Sequence, residues 1–203
     1  MDPYALIEQL EKELSEAKQE IERLGQDCVS ELATRSVFEK HLETVFEARR
    51  SKDRPMGAIM VDIDHFKQVN DHHGHVVGDK VIKEVCRQIK SRTRVSDLVA
   101  RYGGEEFVVV TTDSSLAGLL IVAERIRQDV KEMEIPGLPK VTISLGVTMQ
   151  NSDDKSGWDI IERADRNLYA SKNRGRNRVS HETLSDAELD MLMNIRMHTL
   201  VED

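Results

Sequence analysis

Gly57-Ala58-Ile59-Met60-Val61-Asp62-Ile63 is an apolar run interrupted once, by an acid. A strand with one wet face alternates polar and apolar residues, so a continuous run marks a strand covered on both faces. Working outward, residues 76–89 read as a helix, 98–102 and 107–112 as strands, and 116–130 as an amphipathic helix. Residues 141–147 then read as a strand, 158–171 as a helix and 177–180 as a short edge strand. Upstream, Val29, Leu32, Phe38, Leu42, Val45 and Phe46 recur mostly at helical spacing, so a helical stretch over 27–50 leads into this unit. The order β, α, β, β, α, β, α fits an α/β (α+β) fold of the ferredoxin-like, split βαβ kind, an antiparallel sheet of four strands with helices on one face. In that topology the first strand ends beside the hairpin joining the second and third. Asp62 and the Gly103-Gly104 turn should therefore be neighbours.

The flanks differ from this middle. Ile7, Leu14 and Ile21 alternate with Leu10, Ala17 and Leu24 in steps of three and four, a heptad seam that reads as a coiled coil over residues 1–26, with Ile at a and Leu at d favouring a parallel pair; the alternative is a lone amphipathic helix packed on its own domain. Residues 27–181 form the expected domain, and 182–203 an extension whose Met191, Leu192, Ile195 and Met197 predict one more helix. Formal charge follows the same division: −4 over 1–26, −5 over 182–203 and +1 between them. A near-neutral middle without a broad basic face argues against electrostatic binding to long nucleic acid, though it can host a small polyanion. Cys28 and Cys86 are the two cysteines and lie in no metal-binding spacing, so both read as buried thiols. No uncharged apolar run reaches the roughly 18 residues of a membrane span, and the acidic start is no signal peptide, so a cytoplasmic location is expected.

Arg101-Tyr102-Gly103-Gly104-Glu105-Glu106-Phe107 sits between two predicted strands. The glycine pair suits a hairpin turn and lets the backbone approach a ligand. Two adjacent acids there, with Asp62 supplied by the first strand, would repel one another unless a cation lies between them. Hard oxygen donors in small number suit Mg²⁺ completed by substrate phosphates.

Asp62-Ile63-Asp64-His65-Phe66-Lys67-Gln68-Val69-Asn70-Asp71, followed by Gly74-His75 and Gly78-Asp79, resembles the first-strand signature of the GGDEF-domain diguanylate cyclases. Gly103 to Phe107 resembles their signature loop in its GGEEF form. Val141-Thr142-Ile143-Ser144-Leu145-Gly146-Val147, and Ala164-Asp165 through Tyr169, Lys172, Gly175, Arg176 and Asn177, are similar to the last two blocks of that family. The resemblance implies condensation of two GTP into cyclic di-GMP with release of pyrophosphate. It implies that Asp62, Glu105 and Glu106 are catalytic, and that with the Ile63 carbonyl they hold a pair of Mg²⁺ ions, Mn²⁺ being a possible substitute. Phe66, Lys67, Asn70, Asp79, Gly103, Gly104, Lys172 and Arg176 would contact GTP, with Asn70 and Asp79 on the guanine and Lys67, Lys172 and Arg176 on the phosphates. A carboxylate accepts from the N1 and N2 edge of guanine, a donor pair adenine lacks. By itself, Asp79 reads better as a helix-start carboxylate, and Asp64 reads at least as well as a partner in a structural salt bridge as it does as a catalytic group.

Because each such domain holds one GTP, the resemblance also implies a homodimer, here through the coiled coil. Arg94-Val95-Ser96-Asp97 stands where the family carries its RxxD product-inhibition site, and Arg125 matches the secondary arginine that binds cyclic di-GMP. Glu31 and Thr34 depart from the family's opening pattern, in which Gly and Asn are usual, pointing to altered coupling rather than lost chemistry. The alternative reading is a catalytically silent receptor that binds cyclic di-GMP through Arg94 and Asp97.

Overall fold

The computed structural model describes residues 16, 20, 25–27, 29–49, 55–112, 114–134, 136–185, 187–189 and 191. Most of the predicted coiled coil, Cys28 and most of the final helix lie outside them. Helix α1 (Arg35–Arg49) precedes strand β1 (Gly57–Ile63), followed by helices α2 (Phe66–His73) and α3 (His75–Arg92). The hairpin strands β2 (Leu98–Arg101) and β3 (Glu106–Thr111) come next, then helix α4 (Leu116–Glu132), strand β4 (Ile143–Met149), helix α5 (Gly157–Asn173) and strand β5 (Val179–Ser180).

The sheet has the order β2-β3-β1-β4-β5. Its first four strands pair antiparallel, as the split βαβ reading requires, while β5 runs parallel to β4. Helices cover both faces, not one. The reason is visible in β1, where all seven residues are buried. Ile59, Val61 and Ile63 point into a core shared with Val81, Val85 and Ile89 of α3 and Leu119, Ala123 and Ile126 of α4. Ala58 and Met60 point the other way, against Phe38, Leu42 and Phe46 of α1 and Ile160, Ala164 and Leu168 of α5. At Gly146 of β4, α5 comes so near that an added Cβ would collide with the Ala164 carbonyl and the Leu168 amide.

Two local features differ from the sequence reading. The helix over 27–50 begins only at Arg35, because residues 25–34 form a turn in which the Asp27 N–H donates to the Leu32 carbonyl and the Glu31 N–H to the Asp27 carbonyl. Thr34 caps α1, its Oγ1 accepting from the Val37 N–H at 3.4 Å, a role Thr performs much as Asn does. Helix α2 was not expected, being short and rich in His, Asn and Asp, which are poor helix formers.

After His181, some of the described residues contact the domain. Glu182 accepts from Thr148 Oγ1 at 2.7 Å and from Asn167 Nδ2 at 2.5 Å, and Leu189 is buried against the core. No helix among the described residues is long and apolar enough to cross a membrane.

Candidate active site

The register of β1 on β3 sets Asp62 opposite Glu106, and the Ile63 N–H donates to the Glu105 carbonyl at 3.3 Å. The end of the first strand and the Gly103-Gly104 turn thus share one edge of the sheet. Within the turn, the Tyr102 and Gly103 amides both donate to the Glu106 carbonyl, at 2.8 and 3.2 Å, and the Glu106 carboxylate lies against Gly103. Arg101 holds the turn from outside. Its Nη2 and Nε donate to the Gly104 carbonyl at 2.6 and 3.1 Å, while Nη1 meets both oxygens of Asp27 at 3.0 Å. Burial alone would raise the Asp27 carboxyl, but the Ser30 amide and Arg101 hold it below the ordinary aspartate value. Sequence reading gave neither residue this role, since a pair formed across the fold carries no local signal.

Asp62 is buried, and its Oδ2 lies 2.7 Å from Lys172 Nζ near the end of α5. Burial pushes its carboxyl up to about 6, against the pull of Lys172, and the charges of Glu105 and Glu106 add to the rise. Among the described residues no three carboxylate, imidazole or thiol groups gather closely enough to hold a metal ion by themselves. The backbone therefore brings the three acidic residues to one edge, whereas their carboxylate groups do not converge and Lys172 sits on Asp62. The donor set still fits a hard divalent ion, because three acids with one ammonium leave surplus negative charge that substrate phosphates and cations would share.

The residues expected to meet the nucleoside lie at the corner between α2 and α3. Asn70 is half-buried, and its Oδ1 is buried without a hydrogen-bond partner. Gly78 makes this position possible, since a Cβ there would collide with Asn70 Oδ1. Asp79 follows on the exposed side of α3, outside its first turn, and takes no part in capping the helix. Phe66 is buried at the start of α2, and Lys67 beside it is exposed. Arg176 stands exposed in the turn after α5 with φ of 63°, its N–H donating to the Ser171 carbonyl at 3.0 Å.

Asp64 belongs to the scaffold. It is buried and accepts from Thr142 Oγ1 and Ser144 Oγ, each at 2.7 Å, and from the Asn177 N–H at 3.0 Å. These neutral donors replace the expected salt bridge. Arg127 of α4 steadies the same turn, its Nη1 reaching Asn177 Oδ1 at 2.6 Å. Further along the domain, Asp97 Oδ2 accepts from the Arg94 N–H at 2.7 Å, leaving Oδ1 buried and unpartnered, while the Arg94 side chain is exposed. Arg125 is exposed on α4.

The family model for the diguanylate cyclase GGDEF domain matches residues 24–178, and the chain belongs to that family. It is 47% identical over 144 residues to Diguanylate cyclase A of Treponema denticola, covering 70% of this chain and 38% of that protein. It is 36% identical over 163 residues to the response regulator PleD of Caulobacter vibrioides, covering 75% of this chain and 35% of that one. The chain thus spans little more than a third of the length of these curated relatives. Among solved structures, the GGDEF domain of DgcB from Caulobacter crescentus in complex with c-di-GMP superposes with a TM-score of 0.74 at 33% identity, covering 77% of this chain and 95% of that one. The active GGEEF domain of a diguanylate cyclase from Vibrio cholerae gives 0.72 at 30%, covering 76% and 99%. Cyclases of this family generally depend on a divalent metal.

Proposed function

We propose that this chain is a diguanylate cyclase that joins two GTP into cyclic di-GMP with release of two pyrophosphates. The observation that carries this reading is the β1–β3 register, which seats Asp62 opposite Glu106 beside the glycine turn of a chain in the cyclase family. Asn70, with its unpartnered Oδ1, and Asp79 read the guanine edge. Lys67, Lys172 and Arg176 neutralise the phosphates. When substrate arrives Lys172 exchanges Asp62 for a phosphate oxygen, freeing the carboxylate. Asp62, Glu105, Glu106 and the Ile63 carbonyl are the residues that would hold Mg²⁺. A metal bound there supplies charge neutralisation and a more acidic 3′-hydroxyl.

Reaction proceeds by attack of the 3′-hydroxyl of one GTP on the α-phosphate of the other. Positioning and charge stabilisation provide most of the acceleration. Each domain carries one GTP, so two chains meet across a two-fold axis and react twice. The heptad seam of residues 1–26 is the element we assign to that pairing. Arg94, Asp97 and Arg125 form the product-inhibition site, supported by the exposed Arg94 side chain and the spare Asp97 Oδ1. GTP as substrate places the work in the cytoplasm.

Chromatography of the products after incubation with GTP and Mg²⁺ tests the activity. Cyclic di-GMP should accumulate, with specific activity rising with chain concentration, and Asp62→Ala and Glu105→Ala should each lose activity by at least about 100-fold. Robust turnover by either variant would contradict the site. For inhibition, Arg94→Ala should keep its initial rate and escape slowing by added cyclic di-GMP; slowing equal to the parent's would remove Arg94 from that site.

A further inference from the structure

Behind α2 lies a concavity of about 590 Å³, within the range of small-molecule sites. His65, Gln68, His72 and His73 line it from α2 and its cap, with Lys131 from α4 and Lys140 from the approach to β4. At 3.6 residues per turn, positions 65, 68, 69, 72 and 73 fall in one sector of the helix, whereas Lys67 and Asn70 fall on the opposite side. The cavity is therefore distinct from the nucleotide site, separated from it by the width of α2.

Its charge is one-sided. Asp64 is the one carboxylate in the lining, and both its oxygens are already engaged by Thr142, Ser144 and the Asn177 amide. Lys131 is exposed and has no ion-pair partner among the described residues. Lys140 meets Glu134 at 2.8 Å, but the two side chains are 74% and 75% exposed, and such a pair is weak enough to yield to a ligand. His72 donates its Nδ1–H to the Gln68 carbonyl at 2.7 Å, so Nε2 donates to an anion only when the ring is protonated. Two ammonium groups and three imidazoles around one hollow, with no unengaged acid in the wall, attract an anion. A phosphoryl group carries about −1.5 to −2 charge at pH 7, which the ammonium groups of Lys131 and Lys140 together match, each binding phosphate as a point charge. We propose that this cavity binds a small phosphorylated molecule at a site separate from the GTP site.

Inorganic phosphate, titrated into the full chain without GTP or metal and followed by amide NMR at constant ionic strength, tests this independently of the cyclase reading. Gln68, His72, Val141 and Thr142 should shift and saturate, and Lys131→Ala/Lys140→Ala should need at least tenfold more phosphate. The replaced side chains are exposed, so the variant should keep the dispersed spectrum of the parent. Several results would overturn the proposal: shifts confined to Gly103 and Lys172, unsaturated shifts matched by sodium chloride, or equal affinity in the double variant. Tighter saturation by malonate than by phosphate would reject the phosphate assignment.

Discussion

Gly78 and Asn70 meet more closely than any side chain larger than hydrogen would allow. The consequence is a carboxamide oxygen held in place with nothing to accept from. A buried polar atom without a partner is costly, and such atoms concentrate where a ligand completes them. Gly78→Ala should push Asn70 aside and raise KM for GTP about tenfold, or roughly 1.4 kcal/mol of binding, while the chain stays folded. Steady-state kinetics check this, and an unchanged KM would separate Asn70 from the substrate. Another residue shows how a departure from the family pattern is accommodated. Glu31 adopts φ of 58°, which costs an ordinary residue about 1–2 kcal/mol, and its carboxylate pairs with Lys83 at 2.8 Å across an exposed surface. The turn survives without glycine because Glu31 points into solvent and the backbone bonds of residues 25–34 hold the conformation.

Among elements, α5 packs tightly on β4 at Gly146, and this approach serves the site. Near the end of α5, Lys172 reaches Asp62, and one residue earlier Ser171 donates to the Leu145 carbonyl at 2.7 Å. A side chain at Gly146 would have to displace helix backbone, which no rotamer change relieves. Gly146→Ala should cost about 1–3 kcal/mol, as overpacked cores do, and lower Tm by about 2–4 °C for each kcal/mol. Thermal unfolding followed by circular dichroism measures it, and a variant as stable as the parent would show that α5 can move away freely. Activity should fall with stability, because lifting α5 carries Lys172 off Asp62. The remaining elements were legible in sequence to the extent that their burial was simple. Strand β1 announced itself by an apolar run, and α4 by its stripe, whereas α2 is held by Phe66 and Val69 in the core despite its poor helix formers.

Over the whole molecule, the polar network around His181 joins the segment after β5 to β4 and α5. Arg163 meets both oxygens of Asp154, at 2.7 and 2.9 Å, and Thr148 Oγ1 at 2.8 Å, while Thr148 and Asn167 donate to Glu182. His181 is buried beside them and accepts from the Thr183 N–H through Nδ1 at 3.2 Å. Burial lowers its pKa below the ordinary 6.5, against the pull of Glu182 and aided by Arg163. The unfolded chain therefore binds the proton more readily, and stability present above about 6.5 declines as pH falls through the folded value. Melting temperature should drop between pH 7 and 5.5, and His181→Gln should flatten that decline. Parallel melting profiles of parent and variant over this range would exclude His181 as the cause.

Period and order of apolar residues determined the sheet-forming segments, because a chain must bury its apolar surface whatever the details. The four motif blocks pointed to the family, since they resemble its signatures in residue type, order and spacing. Tertiary structure alone decided that helices cover both faces of the sheet, that Asp64 is satisfied by hydroxyls and an amide, and that Arg101 ties Asp27 to the glycine turn. It also put Lys172 on Asp62 and opened the basic cavity behind α2. Each depends on side chains distant in sequence reaching one point, and that distance is set by packing, which no local pattern encodes.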